Sequence, residues 1–226
     1  MNRLTYGIVA LVAAMTVLAV GVVSATAGSS KSAPVAASHS HAVTAQSGMT
    51  QSDLRSLLGR QLGEHAALAM NATNLGLIGS PAFPAAVKAL DRNSVAISQS
   101  IAAVYGKAAG KAFLDGKFQW RDHIGFFVDY TVALSKNDKA GQDKAVANLQ
   151  TYTVKFGDFL ATATGLPKSA VRNDLLAHVL QLKAQLDTFN GKKYAQASVL
   201  YRAAYDHMFM TADLLAGAIA KRKNLK

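Results

Sequence analysis

Four histidines, His65, His123, His178 and His207, each stand on a stretch whose apolar residues recur every three and four positions, the pattern of a helix with one inward face. The first inward stripe reads Leu58, Gln61, His65, Leu68, Ala72, Leu75, and the second Trp120, His123, Phe127, Tyr130, Leu134. The third reads Val171, Leu175, His178, Leu182, Gln185, Phe189, and the fourth Leu200, Ala203, His207, Met210, Leu214. A buried imidazole has two ring nitrogens to satisfy. Four of them on four helices form either a shared ligand site or a purely structural polar layer. Such a layer would run through Tyr130, Gln185, Gln61 and Trp120 and fix helix register.

Depth along each helix bears on the choice. With helices at about 52–78, 111–136, 169–190 and 193–221, every histidine lies within about two residues of its own midpoint. That is roughly 3 Å along the axis. Packed antiparallel, the four helices would bring four imidazoles to one level.

Neutral imidazoles suit copper or zinc. Met210 follows His207 by one turn and could add a thioether, which tilts the choice towards copper. A carboxylate-bridged di-iron site needs Glu-x-x-His, and the positions three before the histidines hold Leu62, Trp120, Leu175 and Ala204 instead. Calcium and magnesium need oxygen cages that these stripes do not supply. Haem held non-covalently by a His pair, or by His and Met, is the alternative. Asp122 and Asp206 precede two of the histidines, and Asp129 and Asp213 follow seven residues after those acids on the same flank. With Tyr130 they are candidates to orient an imidazole of a neighbouring helix. Solvated flanks or ion pairs with lysines are the other reading of the acids. His39 and His41, in "SHSHAV", could catch a metal on a flexible arm or be incidental.

The elements that must position these groups are helical almost throughout. The spacing predicts six helices, the four above with plain ones at about 84–105 and up to about 164. Ser52 is a plausible N-cap for the first, Pro84 suits the start of the second, and Gly106 suits its end. The fold class expected is therefore all-α, an antiparallel bundle of about six helices, four of them each carrying a core-facing histidine. Segments 90–106, "LDRNSVAISQSIAAVYG", and 149–165, "LQTYTVKFGDFLATATG", match in apolar spacing and both end in glycine. The chain thus reads as an internal repeat of histidine-bearing and plain helices.

Residues 1–27 carry Arg3, an apolar run and Ala25-Thr26-Ala27, the pattern of an export signal. Left uncut, the same run is long enough to tether the protein by its N-terminus. Residues 28–50 are rich in Ser, Ala and Thr and read as a disordered linker. Residues 51–222 form the helical domain, and 223–226 a basic tail. An extracytoplasmic protein is expected: secreted, periplasmic or tethered to the outer face of a membrane.

There is no cysteine in the sequence. That excludes Cys-ligated zinc, iron–sulfur clusters, a thiol nucleophile and covalent c-type haem attachment. The formal charge is +11, with only Arg3 inside the signal. A positive surface favours an anionic lipid or cell-wall polymer as neighbour. The sequence shows no aromatic-and-basic stripe for stacking bases, which argues against nucleic acid.

Several stretches, "LLGRQLGEHAALAMNAT", "ALDRNSVAISQSIAAVYG", "WRDHIGFFVDYT", "HVLQLKAQLD" and "YDHMFMTADLLAGAI", together resemble a family of exported bacterial helical domains. That family is often labelled copper amine oxidase-like, through association with a copper amine oxidase N-terminal-like module that this chain lacks. The resemblance spans nearly all of 52–221 and implies an exported all-α domain; it brings no chemistry with it, and the borrowed label is no ground for expecting oxidase activity. The function expected is binding of a transition metal, for buffering, carriage or sensing in the cell envelope. A haem- or copper-dependent redox protein is the alternative, and a structural or adhesive envelope module the third reading. No acid–base pair flanks the histidines and no nucleophile elbow is present, so the balance leans away from an enzyme.

Overall fold

Seven helices account for most of residues 48–226, the part of the chain described by the computed structural model. They are α1 (Gln51–Leu77), α2 (Phe83–Tyr105), α3 (Lys107–Leu114), α4 (Trp120–Ser135), α5 (Lys139–Thr164), α6 (Lys168–Asn190) and α7 (Tyr194–Lys223). Among the described residues there is no strand, and no helix is long and apolar enough to cross a membrane. The proposed export signal, nearly all of the linker, and His39 and His41 lie outside the described residues.

The boundaries follow local chemistry. Helix α1 is capped by Thr50 rather than Ser52: the Thr50 hydroxyl accepts from the Asp53 N–H, and the Asp53 carboxylate accepts from the Thr50 N–H. This reciprocal pair satisfies two of the donors that a helix start leaves over. Pro84 sits in the first turn of α2, where its missing N–H costs nothing.

The single helix expected at 111–136 is two. Gly106, at φ 92°, ends α2 and starts α3. Gly110 then lets α3 lie directly on α2, since a Cβ there would stand 2.6 Å from the Ser98 carbonyl oxygen. The chain breaks again at 115–119, where Gly116 (φ 137°) and Phe118 (φ 58°) take positive φ. Asp122 fixes the restart by accepting the Phe118 N–H at 2.6 Å.

Packing brings the histidine-bearing helices together. Helix α1 contacts α7, α2, α4 and α6, while α5 lies between α4 and α6, and α6 between α5 and α7. The core runs through Leu58, Leu62, Met70, Ile97, Phe113, Trp120, Phe156 and Leu175, all buried. A hydrogen bond from the Tyr105 hydroxyl to the Ala163 carbonyl joins the C-terminal ends of α2 and α5, the two helices that carry the matching segments.

Candidate metal centre

His65 comes from the middle of α1 and His178 from the middle of α6. His123 arrives differently. Its helix starts at Trp120, so it lies in the first turn of α4 rather than at a midpoint. The break at 115–119 makes Trp120 the start of α4, so the first turn of that helix, not its centre, brings its imidazole to the other two. The three rings meet all the same. His65, His123 and His178 are 0%, 2% and 4% exposed, and each offers a ring nitrogen within 4.8 Å of those of the other two.

The nitrogens are unevenly satisfied. His123 Nδ1 bonds the Trp120 carbonyl one turn back. This makes Nδ1 the donor and turns the lone pair of Nε2 inward. His123 Nε2 stands 3.3 Å from His65 Nε2. His65 Nδ1 and both nitrogens of His178 are buried with no hydrogen-bond partner. Aromatic rings wall the cluster: Trp120 lies 4.7 Å from His65 and 4.8 Å from His123 between centroids, and Tyr152 of α5 stacks on His123 at 4.7 Å.

Burial sets the protonation. Desolvation holds the His123 imidazole down to about 4, against the bond to the Trp120 carbonyl, which pulls the other way. It holds His178 down to about 3, with His123 and His207 adding repulsion. His65 is pushed well below its ordinary range by desolvation and then by His123 and His178. At neutral pH all three are uncharged, the form in which an imidazole can donate a lone pair to a metal.

The polar layer expected as the structural alternative does not serve these rings. The Trp120 indole N–H donates to Ser94. The Tyr130 hydroxyl donates to Asp187 at 2.5 Å, and the Gln185 amide to Asn74 at 3.3 Å.

His207 is near the cluster but faces another way. Its ring lies parallel to His178 with centroids 6.3 Å apart. Its Nε2 lies 3.2 Å from the Asp174 carbonyl oxygen and 3.5 Å from the Asp174 carboxylate, which also accepts from the Thr211 hydroxyl at 2.9 Å. Burial raises the Asp174 carboxyl, while the Thr211 bond and His207 pull it down.

Met210 is turned to solvent, 62% exposed, because the inward stripe of α7 runs through Ala204, Met208, Thr211 and Ile219. The stripe through Ala203, Met210 and Leu214 is the outer one, so Met210 is no ligand to this centre. The acids expected beside the imidazoles are engaged elsewhere. Asp122 holds the start of α4, Asp206 pairs with Arg202 one turn away, and Asp213 pairs with Arg55 across α1 and α7. Asp129 is exposed, and Tyr130 is committed to Asp187. None of these five orients a histidine.

Asp174 and Tyr152 are the neighbours that the sequence reading passed over. Asp174 precedes His178 by one turn on α6, and that spacing was a legible signal. Tyr152 sits on a helix without a histidine and carried none.

The chain matches no family model, no curated protein and no solved structure.

Proposed function

We propose that His65, His123 and His178 bind one transition-metal ion, zinc or copper, and that the protein buffers, carries or senses that ion in the cell envelope. The observation that carries this reading is the set of ring nitrogens without partners. Unpaired polar atoms in a buried, aromatic-walled core each cost about 1–3 kcal/mol, and an ion taking one lone pair from each ring would offset part of that cost, most directly at His178, where neither nitrogen has a partner. The spacing is compatible. Two ligands about 2.05 Å from a tetrahedral metal stand about 3.3 Å apart, close to the 3.3 Å between His65 and His123. His178 would complete the set by a small turn of its ring.

Three imidazoles and no fixed fourth protein ligand resemble the open sites of zinc proteins more than closed structural ones. With Met210 outside, the thioether argument for copper falls away, and imidazole alone suits either ion. A bare ion fits better than haem, because the Nε2 atoms of His65 and His123, 3.3 Å apart, leave no space for a macrocycle between them. The export pattern at 1–27 and the resemblance to exported helical domains support an extracytoplasmic setting. The positive charge supports an anionic lipid or wall polymer as a neighbour.

The test is elemental analysis of the untagged protein purified without chelator, followed by zinc and copper titration and X-ray absorption of the loaded form. One equivalent with three nitrogen ligands near 2.0 Å, lost in His123→Ala, is the expected result. A folded wild-type protein that takes up neither ion would overturn the proposal and make the histidines packing residues.

A further inference from the structure

A cavity of about 170 Å³ leads away from the histidines, lined by His123 and His178 at one end and by Tyr105, Ala163 and Ile219 at the other. Its wall is almost wholly aliphatic and aromatic, including Ile97, Ile101, Leu160, Leu175 and Leu215. An apolar cavity of roughly 150 Å³ stays dry and takes up benzene, so this one has room for a hydrocarbon ligand. Its shape is long. Along α2 the wall runs from Ile97 to Tyr105, about 12 Å at the helical rise. An extended chain advances about 1.2 Å per bond, so the length spans about eight to ten carbons in line, of which the volume, slightly above that of a benzene-sized cavity, holds about six or seven, the rest lying at the mouth.

The two ends differ in charge. The inner end holds neutral imidazoles and the Asp174 carboxylate, which would repel an anion. The outer end gathers cations. Lys223 Nζ stands 4.2 Å from the centroid of the Tyr105 ring, and the Arg222 guanidinium acts electrostatically on the Tyr105 hydroxyl. Arg222 also lies over the end of α5, where a Cβ on Gly165 would meet its Nη1 at 3.4 Å. Both cations are exposed, so a carboxylate placed there would keep its water while its chain was buried.

We propose that this cavity binds a medium-chain fatty acid, tail inward, with its carboxylate held at the mouth by Arg222 and Lys223. The assignment does not rest on a metal at the histidines. The bound chain ends against His178 and Trp120, and Tyr105, tied to the Ala163 carbonyl, forms one side of the mouth.

Trp120 is the one tryptophan of the sequence and lines the cavity, so its emission reports occupancy. The full chain, freed of metal by chelator, is titrated with hexanoate, decanoate and octan-1-ol, following Trp120 fluorescence and heat. Expected are saturable one-to-one binding of decanoate, hexanoate at least tenfold looser, and about tenfold loss for decanoate in Arg222→Ala/Lys223→Ala with octan-1-ol unaffected. Ile101→Trp fills the cavity and should abolish binding. If its helix melting shows that it does not fold, Ala109→Phe at the half-buried rim gives the same block. No binding of decanoate by the folded protein overturns the proposal. Equal loss of octan-1-ol and decanoate in the double variant overturns the role of the cations. Repeating the titration with zinc separates the two sites: decanoate that binds only when zinc is present would place the carboxylate on the metal and overturn the tail-inward orientation. Zinc uptake could fail altogether and leave this result standing.

Discussion

Two neighbouring histidine sites in one core have opposite chemistry. At His207, protein groups answer the polar atoms: the Asp174 carbonyl and carboxylate face the ring, and Thr211 ties the carboxylate to α7. At His65 and His178, the latter only 6.3 Å from His207 between ring centroids, buried ring nitrogens have no hydrogen-bond partner. The residue type is the same and the burial is similar. What differs is whether the surrounding helices supply a carboxylate or only hydrocarbon and aromatic rings. A histidine among satisfied partners is architecture. A group of them left unsatisfied together is capacity for a ligand.

Acid should separate the two sites most strongly. His123 and His178 titrate near 4 and 3 in the folded protein, and His65 is also lowered, against about 6.5 in an unfolded chain. Between those values the unfolded chain holds more protons, so stability is whole above about pH 6.5 and falls as the pH drops. His123 and His178 each contribute about 1 kcal/mol per pH unit across that range, so the metal-free protein loses at least about 2 kcal/mol between pH 6 and 5, and His65 deepens the fall. Urea midpoints across that range measure it, and His65→Leu/His178→Leu should make the slope markedly shallower. A bound metal should raise the whole curve without flattening it, because the loaded imidazoles are unprotonated too. A flat profile in the wild type would mean that the cluster is not buried and neutral.

The second contrast is in affinity. His65→Ala, His123→Ala or His178→Ala should each weaken zinc binding by about 100-fold or more, whereas His207→Ala, which removes no ligand, should change it by less than about tenfold. Competition against a zinc chelator reads both. Equal losses at all four positions would merge the two regions into one site.

Third, the two regions should respond oppositely to an apolar replacement in the absence of metal. His178→Leu removes two unpaired nitrogens and should raise stability by about 1–3 kcal/mol, a gain of a few degrees in Tm. His207→Leu leaves the Asp174 carboxylate short of a partner and should lower stability by a similar amount. The smallest effect expected is that of Thr211→Val, a loss of about 1 kcal/mol from the same cluster, with zinc affinity unchanged.

How much of this could be read from the sequence varied helix by helix, for physical reasons. On α1, α4 and α6 one face is plainly more apolar than the other, so the stripes through His65, His123 and His178 identified the buried side. Helix α7 carries large apolar residues on its outer face as well as its inner one. Val199, Phe209, Met210 and Leu214 are all well exposed, and small alanines make up much of the buried face. Periodicity cannot choose between two greasy faces, and Met210 was placed on the wrong one. The break at 115–119 depends on positive φ at Phe118 as well as Gly116, and a phenylalanine announces no such turn. His123 therefore does not stand at the midpoint of one long helix, although its ring reaches the cluster. The flanking acids failed for another reason: exposed aspartates find nearby arginines, such as Arg55 and Arg202, more easily than they reach a buried ring.

The hydrogen bond from His123 to the Trp120 carbonyl and the depth of the three rings have a consequence in time. The void that reaches the imidazoles is greasy, and a hydrated cation does not travel through hydrocarbon. An ion would enter or leave only when the helices part. Uptake and release would then be paced by the breathing of the fold, so the bound ion would answer a lasting change in its surroundings and ignore a brief one.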